Sequence, residues 1–235
     1  MVSELATLIH LQEYDSRLAS LEAELARLPR DIQALEAALA EARKTVDAAK
    51  ARLEQTRREL RARERDLDDV AAKRARAEAR LWEVKTNVEY SAVLAEIEAI
   101  KAQKARTEEE ILALMERQET LAHEVQEAER RFQADQERCR RETGALRERM
   151  EALTRELEVV RAERATLARE LPRAVLADYE RILRARGGLA VAPVTAAQVC
   201  GGCRVAVRPQ AVQELRAGQT LLHCESCGRF IYWRD

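Results

Sequence analysis

LQEYDSRLASLEAELARLPRDIQALEAAL, residues 11–39, sets an apolar side chain at alternating intervals of three and four: Leu11, Tyr14, Leu18, Leu21, Leu25, Leu28, Ile32, Leu35 and Leu39. A helix turns once in 3.6 residues, so a repeat averaging 3.5 draws a narrow stripe that stays aligned only if the helix winds left-handed around a partner. The alternation continues without a slip through Ala42, Val46, Ala49, Leu53, Thr56, Leu60, Arg63, Leu67, Val70, Arg74, Ala77, Leu81 and Val84. Pro29 lies inside the run and leaves its phase unchanged, which predicts a kink or a short helix break at residue 29 and no change of face.

A second seam runs through Val93, Ile97, Ile100, Lys104, Thr107, Ile111, Leu114, Gln118, Leu121, Val125, Ala128 and Phe132, and resumes through Leu146, Met150, Leu153, Leu157, Val160, Arg164, Leu167 and Leu171. One extra residue is needed between Phe132 and Leu146, a zone containing Cys139 and Gly144 where the supercoil is expected to loosen. Two seams of similar length predict one antiparallel coiled-coil hairpin over residues 1–186, with its tip at about 85–92. The alternative is a parallel dimer of long helices, in which the tip would be an interruption.

Composition agrees with a mainly α chain. Of 235 residues 35% are charged and only 3% aromatic, with seven glycines and four prolines, too few aromatic and turn residues for an ordinary globular core. The net charge of −1 excludes a whole-molecule attraction to nucleic acid or anionic lipid, so any such binding is local. No basic flank precedes an apolar core at the N-terminus, and no apolar run approaches the roughly 18 residues of a spanning helix, so a cytoplasmic protein without a membrane partner is expected.

Gly187, Gly188 and Pro193 end the helical pattern, and residues 187–235 form a separate segment with Leu189–Val194 reading as a strand. So short a segment needs a staple. Four cysteines supply it: CGGC at 200–203 and CESC at 224–227, two C-x2-C turns separated by twenty residues. Each turn aims two sulfurs at one centre, and the two together make a tetrahedral set for one structural zinc ion from Cys200, Cys203, Cys224 and Cys227. Gly201, Gly202 and Gly228 are expected to supply the backbone freedom of the turns. Iron fits the same spacing. A redox pair in CGGC would sit at the start of a helix, whereas RVAVRP after it reads as a strand closed by proline, and the pair would leave CESC unused. Four thiolates fill the shell and make His223 unnecessary as a ligand.

The breaks LPRDI (28–32) and LPRAVLADYERI (171–182), the tip VKTNVEYSAVLAEI (84–97) and the ending CGGCRVAVRPQAVQELRAGQTLLHCESCGRFIYW (200–233) resemble the bacterial C4-type zinc-ribbon coiled-coil family over essentially the whole chain. The resemblance implies a long helical hairpin carrying a small β-rich zinc ribbon and no enzymatic activity. It also implies links to transcription, to flagellar or type III export, and to nucleic-acid binding; such biology does not transfer by fold.

Two surfaces are candidates for binding. Trp82, Lys85, Asn87, Glu89 and Tyr90 gather two of the chain's eight aromatics at the tip, either as a protein-docking site or as a cover for the turn. In the ribbon, Arg204, Arg208 and Arg229 lie near Phe230, Tyr232 and Trp233, with five arginines against three acids for a net of +2; rings that stack and guanidiniums that meet phosphate suit single-stranded nucleic acid. No arrangement of nucleophile, base and acid stands out, and no glycine loop cradles phosphate. The expected function is a non-enzymatic adaptor or regulator with a protein partner and no small-molecule substrate; a nucleic-acid-binding ribbon is the alternative, and a thiol redox or zinc-responsive sensor is a third reading.

Overall fold

The structure, a computed structural model, describes residues 3–218 and 220–234; Met1, Val2, Gln219 and Asp235 lie outside it, Asp235 being one of the three acids counted in the ribbon. Two long helices dominate, α1 (Ser3–Leu81) and α2 (Asn87–Ala168), followed by α3 (Arg173–Ala185), β1 (Val191–Val194), α4 (Pro209–Ala217), β2 (Leu222–His223) and β3 (Phe230–Trp233). The long helices form the antiparallel hairpin. Every position of the two predicted seams is buried or half-buried except Arg63. Cys139 and Thr143, four residues apart and both buried, carry the second seam across its skip without a break in α2.

The chain divides into two compact units, 34–142 and 1–33 with 143–235. In the first, Val70, Ala77, Val93, Ile97 and Ile100 form a buried cluster between the helices, and Lys50 pairs with Glu129 at 2.7 Å, Arg63 with Glu110 at 3.0 Å and Arg80 with Glu96 at 3.0 Å. These pairs run antiparallel. Being exposed, they add little stability and chiefly mark the register.

In the second unit, Leu21, Leu28, Leu153, Leu157 and Val160 continue the two-helix packing. Of the kink or short break expected at Pro29, the break does not occur: α1 passes through it. A break appears instead on the other arm, which was expected to stay helical to residue 186. There α2 ends at Ala168, three tight turns follow with the amides of Arg169, Glu170 and Leu171 donating three residues back, and Pro172 opens α3. Helix α3 folds back onto the base, where Leu8, Leu11, Ala168, Leu171, Tyr179 and Ile182 share one core with Ala190, Val191 and Phe230 of the ribbon.

The sheet has the order β1-β3-β2, with β1 parallel and β2 antiparallel to β3. Strand alternation decides its packing. Phe230 and Tyr232 face the helical core, whereas Ile231 and Trp233 face a second core containing Val212, Leu215 and the cysteines. The strand expected in RVAVRP is reduced to one bridge, Val199 to Ala206, because the chain turns at Arg204 and Pro209 then starts α4. Strand β1 begins two residues later than predicted. Among the described residues no helix is long and apolar enough to cross a membrane.

The tip turn is also shorter and earlier than expected. It occupies residues 82–86, and residues 87–92 already belong to α2. Thr86 Oγ1 accepts the Glu89 amide at 3.2 Å while Glu89 Oε2 accepts the Thr86 amide at 3.2 Å. This reciprocal capping box, TNVE at 86–89, fixes the start of the helix. The Thr86 side chain and the amides of Lys85 and Thr86 hold the Glu89 carboxyl below its ordinary pKa.

Candidate metal centre

Two turns of the same construction present the four cysteines. In the first, the Cys200 amide donates to Val205 O at 2.9 Å and the Arg204 amide to Cys200 O at 2.7 Å; in the second, the Cys224 amide donates to Arg229 O at 2.8 Å and the Gly228 amide to Cys224 O at 2.7 Å. Each turn thus closes by the same pair of bonds, and the amides inside it, of Gly202 and Cys203 in one and of Ser226 and Cys227 in the other, point at the leading sulfur. The sulfurs of Cys200 and Cys227 lie 3.9 Å apart, those of Cys203 and Cys224 3.7 Å, and all four lie within 4.8 Å of one another. A tetrahedron with metal–sulfur bonds of about 2.3 Å has edges of about 3.8 Å, so the arrangement fits one zinc ion.

Burial pushes the thiols of Cys200 and Cys224 up from their ordinary pKa. Burial opposes ionisation of Cys227 as well, but the amide and guanidinium of Arg229 and the neighbouring thiols outweigh it and bring the group down. A metal takes these sulfurs as thiolates, so its binding is tied to proton release. Four sulfurs complete the shell and leave no position for water or substrate. His223 is not among them: its Nδ1 lies 3.1 Å from Gly228 O and its Nε2 3.5 Å from Asp178.

The glycines serve differently from the expectation. Gly201 and Gly202 keep ordinary φ angles, and what they provide is room: a Cβ on Gly202 would stand 2.6 Å from Arg229 Cδ. The left-handed position of each turn is its fifth residue, Gly228 at φ 74° and Arg204 at φ 62°. An arginine there is strained where a glycine is not. Arg204→Gly is expected to stabilise the ribbon by about 1 kcal/mol, and Gly228→Ala to destabilise it by about 1–2 kcal/mol. Thermal melts of the zinc-loaded proteins check both, with opposite shifts in melting temperature expected.

The six ribbon residues considered for nucleic acid are not gathered on one open face. Phe230 is 2% exposed and packs against His223 with ring centroids 4.2 Å apart. Tyr232 and Trp233 are half-buried on opposite faces of β3, Trp233 beneath the Arg216 guanidinium at 4.2 Å. Arg208 pairs with Glu225, and Arg229 donates to the carbonyls of Leu189 and Arg186. Arg204 is exposed. A period of two along FIYW was enough to foresee the split of the rings. At the tip the reverse holds: Trp82 is 89% exposed and does not cover the turn, and Lys85, Asn87, Glu89 and Tyr90 are exposed with it. Sequence reading missed Gln12 and Asp15, whose side chains at the helical base bond Gly188 and Arg164.

Comparison with known proteins agrees with this geometry. A CT398-like coiled coil hairpin domain matches residues 11–188 and a C4-type zinc ribbon domain residues 199–231. Among curated proteins none matches. Among solved structures, CT398 from Chlamydia trachomatis is similar with a TM-score of 0.80 at 20% identity, 98% of each chain being covered. A protein from Mycobacterium smegmatis has a TM-score of 0.76 at 23% identity, covering 100% of this chain and 99% of its own. The HP0958 protein from Helicobacter pylori has a TM-score of 0.58 at 17% identity, with 100% and 98% covered. At these identities the structures share the fold alone. With a hairpin model matched over residues 11–188 and a C4 ribbon following it, the chain belongs to the CT398-like coiled-coil hairpin family.

Proposed function

We propose that the protein is a non-enzymatic adaptor whose hairpin tip docks on a protein partner, while the ribbon packs on Leu8 and Leu11 of α1. The exposure of Trp82 carries this reading. Trp82 at 89% and Val88 at 79%, with Tyr90 and Leu94 close in sequence, make four of the eight large apolar side chains exposed among the described residues. A rigid, capped turn has no folding reason to present a tryptophan to water, and such rings are what anchor protein interfaces. A closed four-sulfur metal shell supports a role without catalysis. The packing of Phe230, Tyr232 and Trp233 weighs against stacking on nucleic acid. Components of transcription or export machinery, to which the family resemblance points, are the partners to test first.

A photo-crosslinking residue in place of Lys85, exposed at the same turn with Trp82 kept, is expected to trap a protein, and one at Leu112, exposed on α2, to trap none. With the trapped partner purified, Trp82→Ala should weaken binding by roughly tenfold or more while leaving helical content unchanged. Undiminished binding by W82A, or crosslinks to nucleic acid alone, would refute the docking role of the tip.

A further inference from the structure

The segment joining α3 to β1 is held by two side chains from opposite directions. From the helical base, Gln12, 7% exposed, donates from Nε2 to Gly188 O at 2.9 Å and accepts at Oε1 the amides of Ala190 at 2.6 Å and Val191 at 3.1 Å. From the ribbon, Arg229 donates from Nε to Leu189 O at 2.7 Å and from Nη2 to Arg186 O at 3.0 Å. Arg229 also closes the second cysteine turn, its carbonyl accepting the Cys224 amide at 2.8 Å. Its side chain crosses the first turn in the space that Gly202 leaves open. One residue thus touches both cysteine turns and the linker.

We propose that Arg229 is a positioning residue of the metal centre that couples its occupancy to the docking of the linker on Gln12. Four thiolates around a divalent cation keep a net negative charge, which draws the guanidinium inward and holds its fork in the one orientation that reaches Leu189 and Arg186. Without the metal the second turn no longer fixes the Arg229 backbone, the two carbonyls lose their donor, and Gln12 alone cannot order the segment. Coupling is reciprocal, so loosening the linker at Gln12 must weaken metal binding.

The test uses the full chain, zinc analysis and amide exchange at Ala190 and Val191. At saturating zinc, Arg229→Met is expected to exchange these amides roughly tenfold faster than the wild type, whereas chelation of the wild type, which unfolds the ribbon, should release them altogether. Arg229→Lys, which keeps the charge but not the fork, should rescue only in part. In a chelator competition Gln12→Met should bind zinc several-fold more weakly although it touches no sulfur. Wild-type protection in zinc-saturated R229M, or an unchanged zinc affinity in Q12M, would each overturn the proposal; the Q12M arm decides it even if R229M loses its zinc.

Discussion

Removing the metal, or replacing Cys200 with serine, is expected to unfold the ribbon and leave the long helices standing. The ribbon's own core has little else in it: Ala192, Val194, Val212, Leu215 and Ile231 are its buried aliphatics, and Cys200, Cys224 and Cys227 lie among them. Three strands of four, two and four residues cannot offset the conformational entropy of ordering the segment. Structural zinc contributes about 10–16 kcal/mol of apparent binding energy in comparable small domains, as much as the stability of an ordinary whole domain. Chelation should therefore collapse the NMR dispersion of residues 191–234 and release Trp233 from the Arg216 guanidinium, visible as a change in fluorescence. Far-UV ellipticity should hardly change, because α1 and α2 contribute 79 and 82 residues of helix. Cys200→Ser should bring zinc content from one ion per chain to a small fraction of it. A ribbon that keeps its dispersion after chelation, with the metal shown to be gone, would mean that the sulfurs are core residues and no more.

The two seams were legible because a 3.5-residue repeat admits few readings, and the cysteine turns because their spacing is chemistry as much as structure. What escaped were places where one local sequence serves two outcomes. Leu-Pro-Arg occurs at 28–30 and again at 171–173; the helix continues through the first and stops at the second. A proline in a helix costs about 3 kcal/mol, so the outcome depends on what surrounds it. At Pro29 the seam goes on in both directions, with Leu21 and Leu28 packed against Leu153 and Leu157. At Pro172 the chain gains more by turning, since α3 then brings Tyr179 and Ile182 onto Leu8 and Leu11. The apolar spacing hardly changes there, and periodicity gives no sign of the turn. The capping box at 86–89 was readable, and it would have placed the tip turn at 82–86. Gln12 and Asp15 carry no local signal of their role, because Ala190 and Arg164, the partners that reveal it, lie more than 140 residues away.

Asp15→Ala is expected to lower the stability of the unit holding the ribbon by about 2–4 kcal/mol, the largest effect anticipated for a single side chain away from the metal. Asp15 accepts Arg164 at both carboxylate oxygens, 3.1 and 3.2 Å, and the Tyr179 hydroxyl at 2.7 Å, while Arg164 also reaches Glu180 at 3.3 Å. With side-chain exposures of 20% for Arg164 and 12% for Asp15, water relieves part of the penalty for leaving the arginine half-paired, which places the cost below that of a fully buried pair. Tyr179, fully buried, keeps no such relief and would be left with an unpaired hydroxyl. Tyr179→Phe removes donor and demand together and should cost only about 1 kcal/mol. Burial first, and then the hydrogen bond and charge of Asp15, raise the phenol's pKa above its ordinary value. Its contribution is therefore fully present below the unfolded pKa of about 10 and is lost as pH rises beyond it toward the folded value, an alkaline loss that Y179F should not show. Urea unfolding followed by Trp233 fluorescence in a Trp82→Phe background measures all three quantities. A D15A penalty no larger than that of Y179F would show that Arg164 gains nothing from Asp15 beyond what Glu180 supplies, and that the fold of α3 onto the base is held by Leu8, Leu11 and Ile182 alone.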